Sequence, residues 1–254
     1  MLHDQEPFTF IRFSDGELEI LRGSRLELGE KGVSWSKGQS KFVYPTYDHK
    51  TFNPDVDLDL KLALVEAAHY LAPNFFKGIP AAHNENLEDK RLLVEMNNGT
   101  EENLTYSDLF VNANYKRFLN GMFASLATID RVTLIGNYRS TPKLVNSTWN
   151  LLPVPDHVFQ RFEHFVSHTI RSLLALPEGS IVLSSASSIS NILGHKLHLL
   201  KHDLTFIDVG TSIHAQVGMQ DSLRGYQSQT LPWSRKSFKR KALYYAMGNH
   251  QFKW

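Results

Sequence analysis

The sequence predicts an α/β fold, a mostly parallel sheet flanked by helices. Three observations predict it. The chain opens on an alternating apolar run, Phe8-Thr9-Phe10-Ile11-Arg12-Phe13, that feeds a tight acidic turn, Ser14-Asp15-Gly16-Glu17. Its second half repeats a unit in which short apolar runs (132–136, 181–185 and 204–209) alternate with helical stretches. Such alternation implies parallel strands joined by right-handed crossovers. Finally, each expected strand ends in small, polar or charged residues, and open α/β sheets bind ligands at those ends.

Taken in order, residues 9–13 read as a strand, 14–16 as a turn and 17–21 as a helix. Residues 22–57 are polar and irregular, an excursion holding short strands such as 41–44. A helix is expected over 58–71, with Leu58, Leu62, Val65 and His69 at helical spacing. Asn74-Phe75-Phe76-Lys77-Gly78-Ile79-Pro80 reads as a buried strand stopped by Gly and Pro. Residues 81–105, polar and carrying Asn97-Asn98-Gly99-Thr100, are the most loop-like stretch and a candidate lid or insertion. Residues 115–126 look helical. An amphipathic helix is expected over 157–176, with Phe159, Phe162, Val166, Ile170 and Leu173 on one face. Another helix is expected over about 188–200, and the basic, aromatic segment 227–254 reads as a closing helix.

With 254 residues, 42% of them hydrophobic, the chain can bury a substantial core. Its 27 basic and 26 acidic residues leave a net charge of +1, which excludes a global electrostatic footprint for nucleic acid or membrane. The absence of cysteine excludes disulfides, thiolate catalysis and Cys-ligated zinc. No apolar run is long enough to span a bilayer and no signal-peptide core follows Met1, so the expectation is a soluble, cytoplasmic protein.

The strand ends carry the chemistry. Asp15 and Glu17 flank a glycine, so both carboxylates can turn toward one point, an arrangement suited to Mg²⁺ or Mn²⁺ beside a pyrophosphate. The plainer alternative is a turn between strand and helix. Ser185, Ser187 and Ser188 precede a helix, where hydroxyls and open N–H groups suit an anion, or where they act as ordinary caps. Asn137 and Arg139 follow the strand at 132–136, and the forked donors of Arg139 suit a phosphate; the alternative is a surface arginine beside a turn. Asp208 ends its strand before Gly210, placed to orient a sugar hydroxyl or a histidine. His214, slightly later, is a candidate general base. His164, His168, His195, His198 and His202 fall at helical spacings but lack an accompanying acidic pattern for zinc.

Arg12-Phe13-Ser14-Asp15-Gly16-Glu17 resembles the Arg-aromatic-Gly-Asp-Gly-Glu signature of the GT-D type glycosyltransferases, whose founding members act on bacterial glycoproteins. Later blocks fall in matching order: Gly78-Ile79-Pro80 resembles the family's Gly-Ile-Pro strand end, residues 132–140 its strand and Asn-containing loop, residues 181–197 its strand, small-residue turn and helix, and Phe206-Ile207-Asp208-Val209-Gly210 its Ile-Asp-Ile-Gly block. Ser14 stands where the family has glycine, and Thr211 where it has histidine, the nearest histidine here being His214. The resemblance implies a distant member with a Rossmann-like sheet, a single glycosyltransferase domain over 1–254 with irregular insertions near 22–57 and 81–105. It further implies a metal-dependent transferase using a nucleotide-diphosphate sugar, UDP-sugar foremost, with Asp15 and Glu17 at the metal and diphosphate. Arg12, Asn137, Arg139, Ser185, Ser187 and Ser188 are then candidates for the donor, and His214 and Asp208 for the chemistry.

The acceptor is a glycan, a glycoprotein or a hydroxylated nucleic-acid base. The last of these is suggested by Arg235, Lys236, Lys239, Arg240 and Lys241 interleaved with Trp233, Phe238, Tyr244 and Tyr245, a pattern that also fits a solvated helix face. A noncatalytic nucleotide-binding module and a metal-dependent phosphohydrolase are the competing classes.

Overall fold

The computed structural model describes residues 6–28, 50–80 and 87–227. A seven-stranded, wholly parallel sheet runs through these residues. It comprises β1 (Thr9–Arg12), β4 (Phe75–Ile79), β5 (Leu104–Tyr106), β6 (Thr133–Asn137), β7 (Asn150–Val154), β8 (Ile181–Ser184) and β9 (Thr205–Asp208), in the spatial order β5-β4-β1-β9-β8-β6-β7. β2 (Leu26–Leu28) and β3 (Lys50–Phe52) form a separate antiparallel pair. The helices are α1 (Asp15–Arg22), α2 (Leu58–His69), α3 (Leu87–Met96), α4 (Tyr115–Phe118), α5 (Ala124–Leu126), α6 (Phe162–Leu174) and α7 (Ser188–Leu200).

Strand side chains alternate between two apolar layers, as a pleated backbone buried on both faces requires. Ile11, Ile135, Val182 and Phe206 face a layer built with α1, α2, α6 and α7. Their neighbours Phe10, Leu134, Leu183 and Ile207 face a second layer that includes Phe118, Phe123 and Leu126. α7 lies deepest: a side chain at Gly194 would put its Cβ 2.6 Å from Ile11 Cγ2, so the glycine lets this helix pack directly on β1. That close packing sets Ser188 and Asn191 over the carboxyl end of β1. Because the chain leaves β1 toward β4 on one side and returns through β9 on the other, the order reverses around β1, where a binding crevice is expected.

Several elements differ from the sequence-based expectation. Within the loop-like stretch expected over 81–105, the described residues from Leu87 on include α3 and the start of β5, and β5 pairs with Lys77 to Ile79 of β4 at the sheet edge. α3 fully buries only Leu93, so its amphipathic pattern is thin, and β5 is half-buried throughout. β7 was not expected; its Pro153 reads as a strand breaker, yet an edge strand tolerates proline because its outer N–H has no ladder partner. The amphipathic helix begins at Phe162, after a 3₁₀ turn (Val158–Arg161), since His157 has a left-handed φ of +56°. α4 and α5 are joined by a π-helical turn, Leu119–Phe123. The expected strand at 41–44 and the closing helix beyond Gln227 lie outside the described residues.

Candidate functional site

Arg12 ends β1 with its side chain almost wholly buried. Its Nη1 donates to the Ser107 carbonyl at 3.1 Å, and its Nε lies 3.6 Å from Asp208 Oδ2 at the end of β9. The Asn191 amide of α7 donates to the Arg12 carbonyl at 2.8 Å. Asp208 is also buried and accepts the Gly210 N–H at 2.9 Å. Burial raises its carboxyl to about 6, against the opposing pull of the Arg12 guanidinium and with a further push from Glu17. Gly210, at φ +50°, is the residue this geometry demands: a Cβ there would sit 1.8 Å from Arg12 Nη2.

Beyond β1 the chain turns through Phe13 and Ser14, and α1 starts at Asp15. Glu17 is drawn inward: its Oε2 accepts from the Ser14 N–H at 3.1 Å and from Ser14 Oγ at 3.0 Å, and its Oε1 accepts from Ser188 Oγ at 2.9 Å. Glu17 therefore ties the start of α1 to the start of α7. Asp15 stays at the exposed rim. Its carboxyl is raised, first by desolvation and then by the neighbouring Glu17, Asp89 and Glu19. The two carboxylates are thus unequal: one holds two helices together and the other faces outward in surplus negative charge.

A second cluster sits at the ends of β8 and β9. Ser185 Oγ lies 3.0 Å from His214 Nε2, and His214 Nδ1 lies 2.6 Å from Ser222 Oγ. A cavity of about 50 Å³ opens beside them, lined by Asn137, Ser185, Ser187 and His214 among others. Ser187, which precedes α7, has φ +55° and ψ −146°, a region rarely adopted by residues with side chains.

Asn137 and Arg139 form a third group. Arg139 makes a bidentate pair with Asp156 at 2.8 and 3.0 Å, Asn137 Nδ2 donates to the same carboxylate at 3.2 Å, and the guanidinium lies 4.2 Å from the Tyr138 ring centroid. Bonding to Arg139 holds the Asp156 carboxyl below its ordinary range. Arg139 is thus committed to a carboxylate in this structure.

Among the expected residues, the structure brings Arg12, Glu17, Ser188 and Asp208 into one buried network, with Asp15 at its rim, and joins Ser185 to His214. Lys77 does not reach the crevice: its ammonium is buried against α2, donating to the Ala68 carbonyl at 2.5 Å, and burial lowers it to about 8. His195 and His198 pack against Tyr70 and Phe75. Ser107, Asp156, Asn191 and Ser222 escaped the sequence reading. Only Asn191, three residues after Ser188 on the same helix face, carried a usable signal.

Among the described residues no group of three His, Asp or Glu side chains could hold a metal ion. Asp15 in its acidic surroundings instead suits a cation whose remaining ligands come from substrate phosphates and water, the usual habit of Mg²⁺.

The fold defines the class: an α/β protein built on a wholly parallel sheet flanked by helices. No family model and no curated protein matches the sequence. Among solved structures, the chain resembles the highly conserved domain of unknown function 1792, described as having a distinct glycosyltransferase fold. The TM-score is 0.53 at 13% identity, over 91% of this chain and 87% of that one. A second structure, a new glycosyltransferase (DUF1792) from Streptococcus sanguinis, aligns with a TM-score of 0.48 at 12% identity, over 92% and 86% of the two chains. At 13% identity the first likeness is one of fold.

Proposed function

We propose that the protein is a metal-dependent glycosyltransferase that moves a sugar from a nucleotide-diphosphate donor, UDP-sugar foremost, to a hydroxyl acceptor. The observation that carries this reading is the Arg12–Asp208–Glu17 network with Asp15 at its rim, set where the strand order reverses on a sheet of the glycosyltransferase kind. In this reading the whole chain is one catalytic domain acting in the cytoplasm. Among the described residues no helix is long and apolar enough to cross a membrane.

Arg12 is held by Ser107 and Asp208 before substrate arrives, so its positive charge at the crevice costs little reorganisation. Asp15 is the residue that would hold Mn²⁺ or Mg²⁺, with Glu17 behind it fixing the start of α1. Such a cation would supply charge neutralisation for the departing diphosphate. Ser187 and Ser188 offer donors at the start of α7. His214 receives the acceptor's proton. Asn137 lines the small cavity beside Ser185 and His214, and Arg139 beside it is paired with Asp156. The acceptor is a glycan or protein; a nucleic-acid acceptor would rest on residues 233–245, which lie outside the described residues. A phosphohydrolase working through two metals would call for more carboxylates or histidines than this turn supplies among the described residues.

The test is a screen of nucleotide sugars by melting temperature and turnover, with and without Mn²⁺. The expected result is Mn²⁺-dependent stabilisation by a donor together with sugar release. In Asp15→Asn both the stabilisation and at least about 10²-fold of the turnover should vanish. Its metal-free melting temperature should hold or rise, because the substitution removes one charge from a repulsive cluster. Full activity of Asp15→Asn with every donor would sink the metal role. Stabilisation without turnover in the wild type would establish a nucleotide-binding module instead.

A further inference from the structure

The hydrogen bonds around His214 define a direction. Ser222 Oγ lies 2.6 Å from His214 Nδ1 and donates to the Met219 carbonyl at 3.0 Å, while Ser185 Oγ lies 3.0 Å from His214 Nε2. A hydroxyl has one proton and a neutral imidazole has one N–H. If Ser222 donates to Met219, its oxygen accepts from Nδ1–H, Nε2 carries the lone pair, and Ser185 donates to it. All three bonds are then made. If Ser222 instead donates to Nδ1, the bond to Met219 is lost and Nε2–H points at Ser185. The first arrangement satisfies more groups at a position where Ser222 is 1% exposed and an unmet hydroxyl is costly.

The outer end of this chain opens on a small space. Ser185 and His214 both line the cavity of about 50 Å³, which has room for a hydroxyl group. A hydroxyl entering it meets Ser185 Oγ, whose own proton is already directed at an unprotonated nitrogen. Ser185 follows β8 directly, and its N–H is bonded to the Ile135 carbonyl at 2.8 Å, so its backbone is pinned to the sheet.

We propose that Ser222 is a positioning residue that fixes His214 as the Nδ1–H tautomer, and that Ser185 passes the acceptor's proton to His214. This inference rests on the transferase reading for the fate of the proton, though not for the tautomer. In the step, the acceptor oxygen forms its bond to the sugar's anomeric carbon. The bond from that carbon to the diphosphate oxygen breaks, and its electron pair leaves with the diphosphate. The acceptor's proton moves to Ser185 Oγ as the Ser185 proton moves to His214 Nε2. The resulting imidazolium keeps its Nδ1–H on Ser222 Oγ and later returns the extra proton to solvent.

The experiment uses the full-length chain with ¹⁵N-labelled histidine, and His214→Gln identifies the His214 ring signals. At neutral pH the ring shifts of wild type should report a neutral imidazole protonated on Nδ1. Ser222→Ala should move the population toward the Nε2–H form, and Ser222→Thr, which keeps the hydroxyl, should restore Nδ1–H. Melting curves check that the variants fold, and the wild-type spectrum decides the tautomer without any variant. In transfer assays Ser222→Ala should lower kcat by about tenfold with KM unchanged. Ser185→Ala should lower kcat while leaving the tautomer as it is, and His214→Gln should cost about 10²-fold or more. A wild-type Nε2–H tautomer, an imidazolium at neutral pH, or a Ser222→Ala spectrum identical to wild type overturns the positioning role, whatever the activity. Full transfer by Ser185→Ala overturns the relay. The expected spectra with no donor turned over by wild type would remove the transferase reading and the relay, and leave the tautomer assignment standing.

Discussion

Asp208→Asn tests the electrostatics of the buried network by stability alone. Asp208 is buried and its carboxyl is raised from 3.8 to about 6, mainly by desolvation. As pH rises, the unfolded chain gives up this proton near 3.8 while the folded chain keeps it until about 6. The wild type therefore loses stability across that window and has lost the full amount above it. A rise of about two units at about 1.36 kcal/mol each gives roughly 3 kcal/mol. A small part of it has already gone by pH 4, leaving about 2 kcal/mol between pH 4 and pH 8. Asparagine has nearly the same shape and does not titrate. Its amide can still accept the Gly210 N–H, and any fixed cost of placing its NH₂ near Arg12 is the same at both pH values. Urea denaturation of wild type and variant at pH 4 and pH 8 isolates the difference, provided the m-values agree. The variant's stability relative to wild type should improve by about 2 kcal/mol on going from pH 4 to pH 8. A pH-independent difference, or one that moves the other way, would show that Arg12 more than offsets the desolvation of Asp208, and the network would then be a stabilising ion pair rather than a strained functional one.

Two further perturbations probe the same framework. Gly210→Ala should destabilise the fold by about 3 kcal/mol or more, because its Cβ displaces a guanidinium that a buried carboxylate depends on and the backbone is left-handed there; a thermal melt within a degree of wild type would mean that Arg12 can swing away cheaply. His195→Gln should reduce the stability lost between pH 7 and pH 4 by about 3 kcal/mol, since burial lowers His195 from 6.5 to about 4 and the unfolded chain alone takes up the proton in that range. The same urea titrations read it out, and an unchanged acid limb would exclude the effect. His195 and Asp208 act in opposite directions between pH 4 and 6, so the wild-type profile there should be flatter than that of either variant.

The sequence by itself determined the strands and helices that make the frame. β1, β4, β6, β8 and β9 are short, mostly apolar segments because both their faces are buried, and α7 is legible because ten of its residues are buried. β5, β7 and α3 were illegible for the converse reason: edge elements bury little, and Pro153 is harmless where no partner strand needs its N–H. Chain-local chemistry also marked Arg12, Asp15, Glu17, Asp208 and His214 as the residues to watch. Their roles were decided only by tertiary structure. Asp15 and Glu17 are two residues apart and look equivalent in the sequence. Yet α1 turns one to the rim and the other onto Ser188, 171 residues away in the chain. Arg12 meets Asp208 because β1 and β9 are neighbours in a sheet whose order no local pattern encodes. Ser222, which no local pattern marks, meets His214 because the chain folds back to put its hydroxyl against the imidazole. Periodicity reports how much of a residue is buried. Which other residue it meets depends on how distant segments pack, and that is where this site is made.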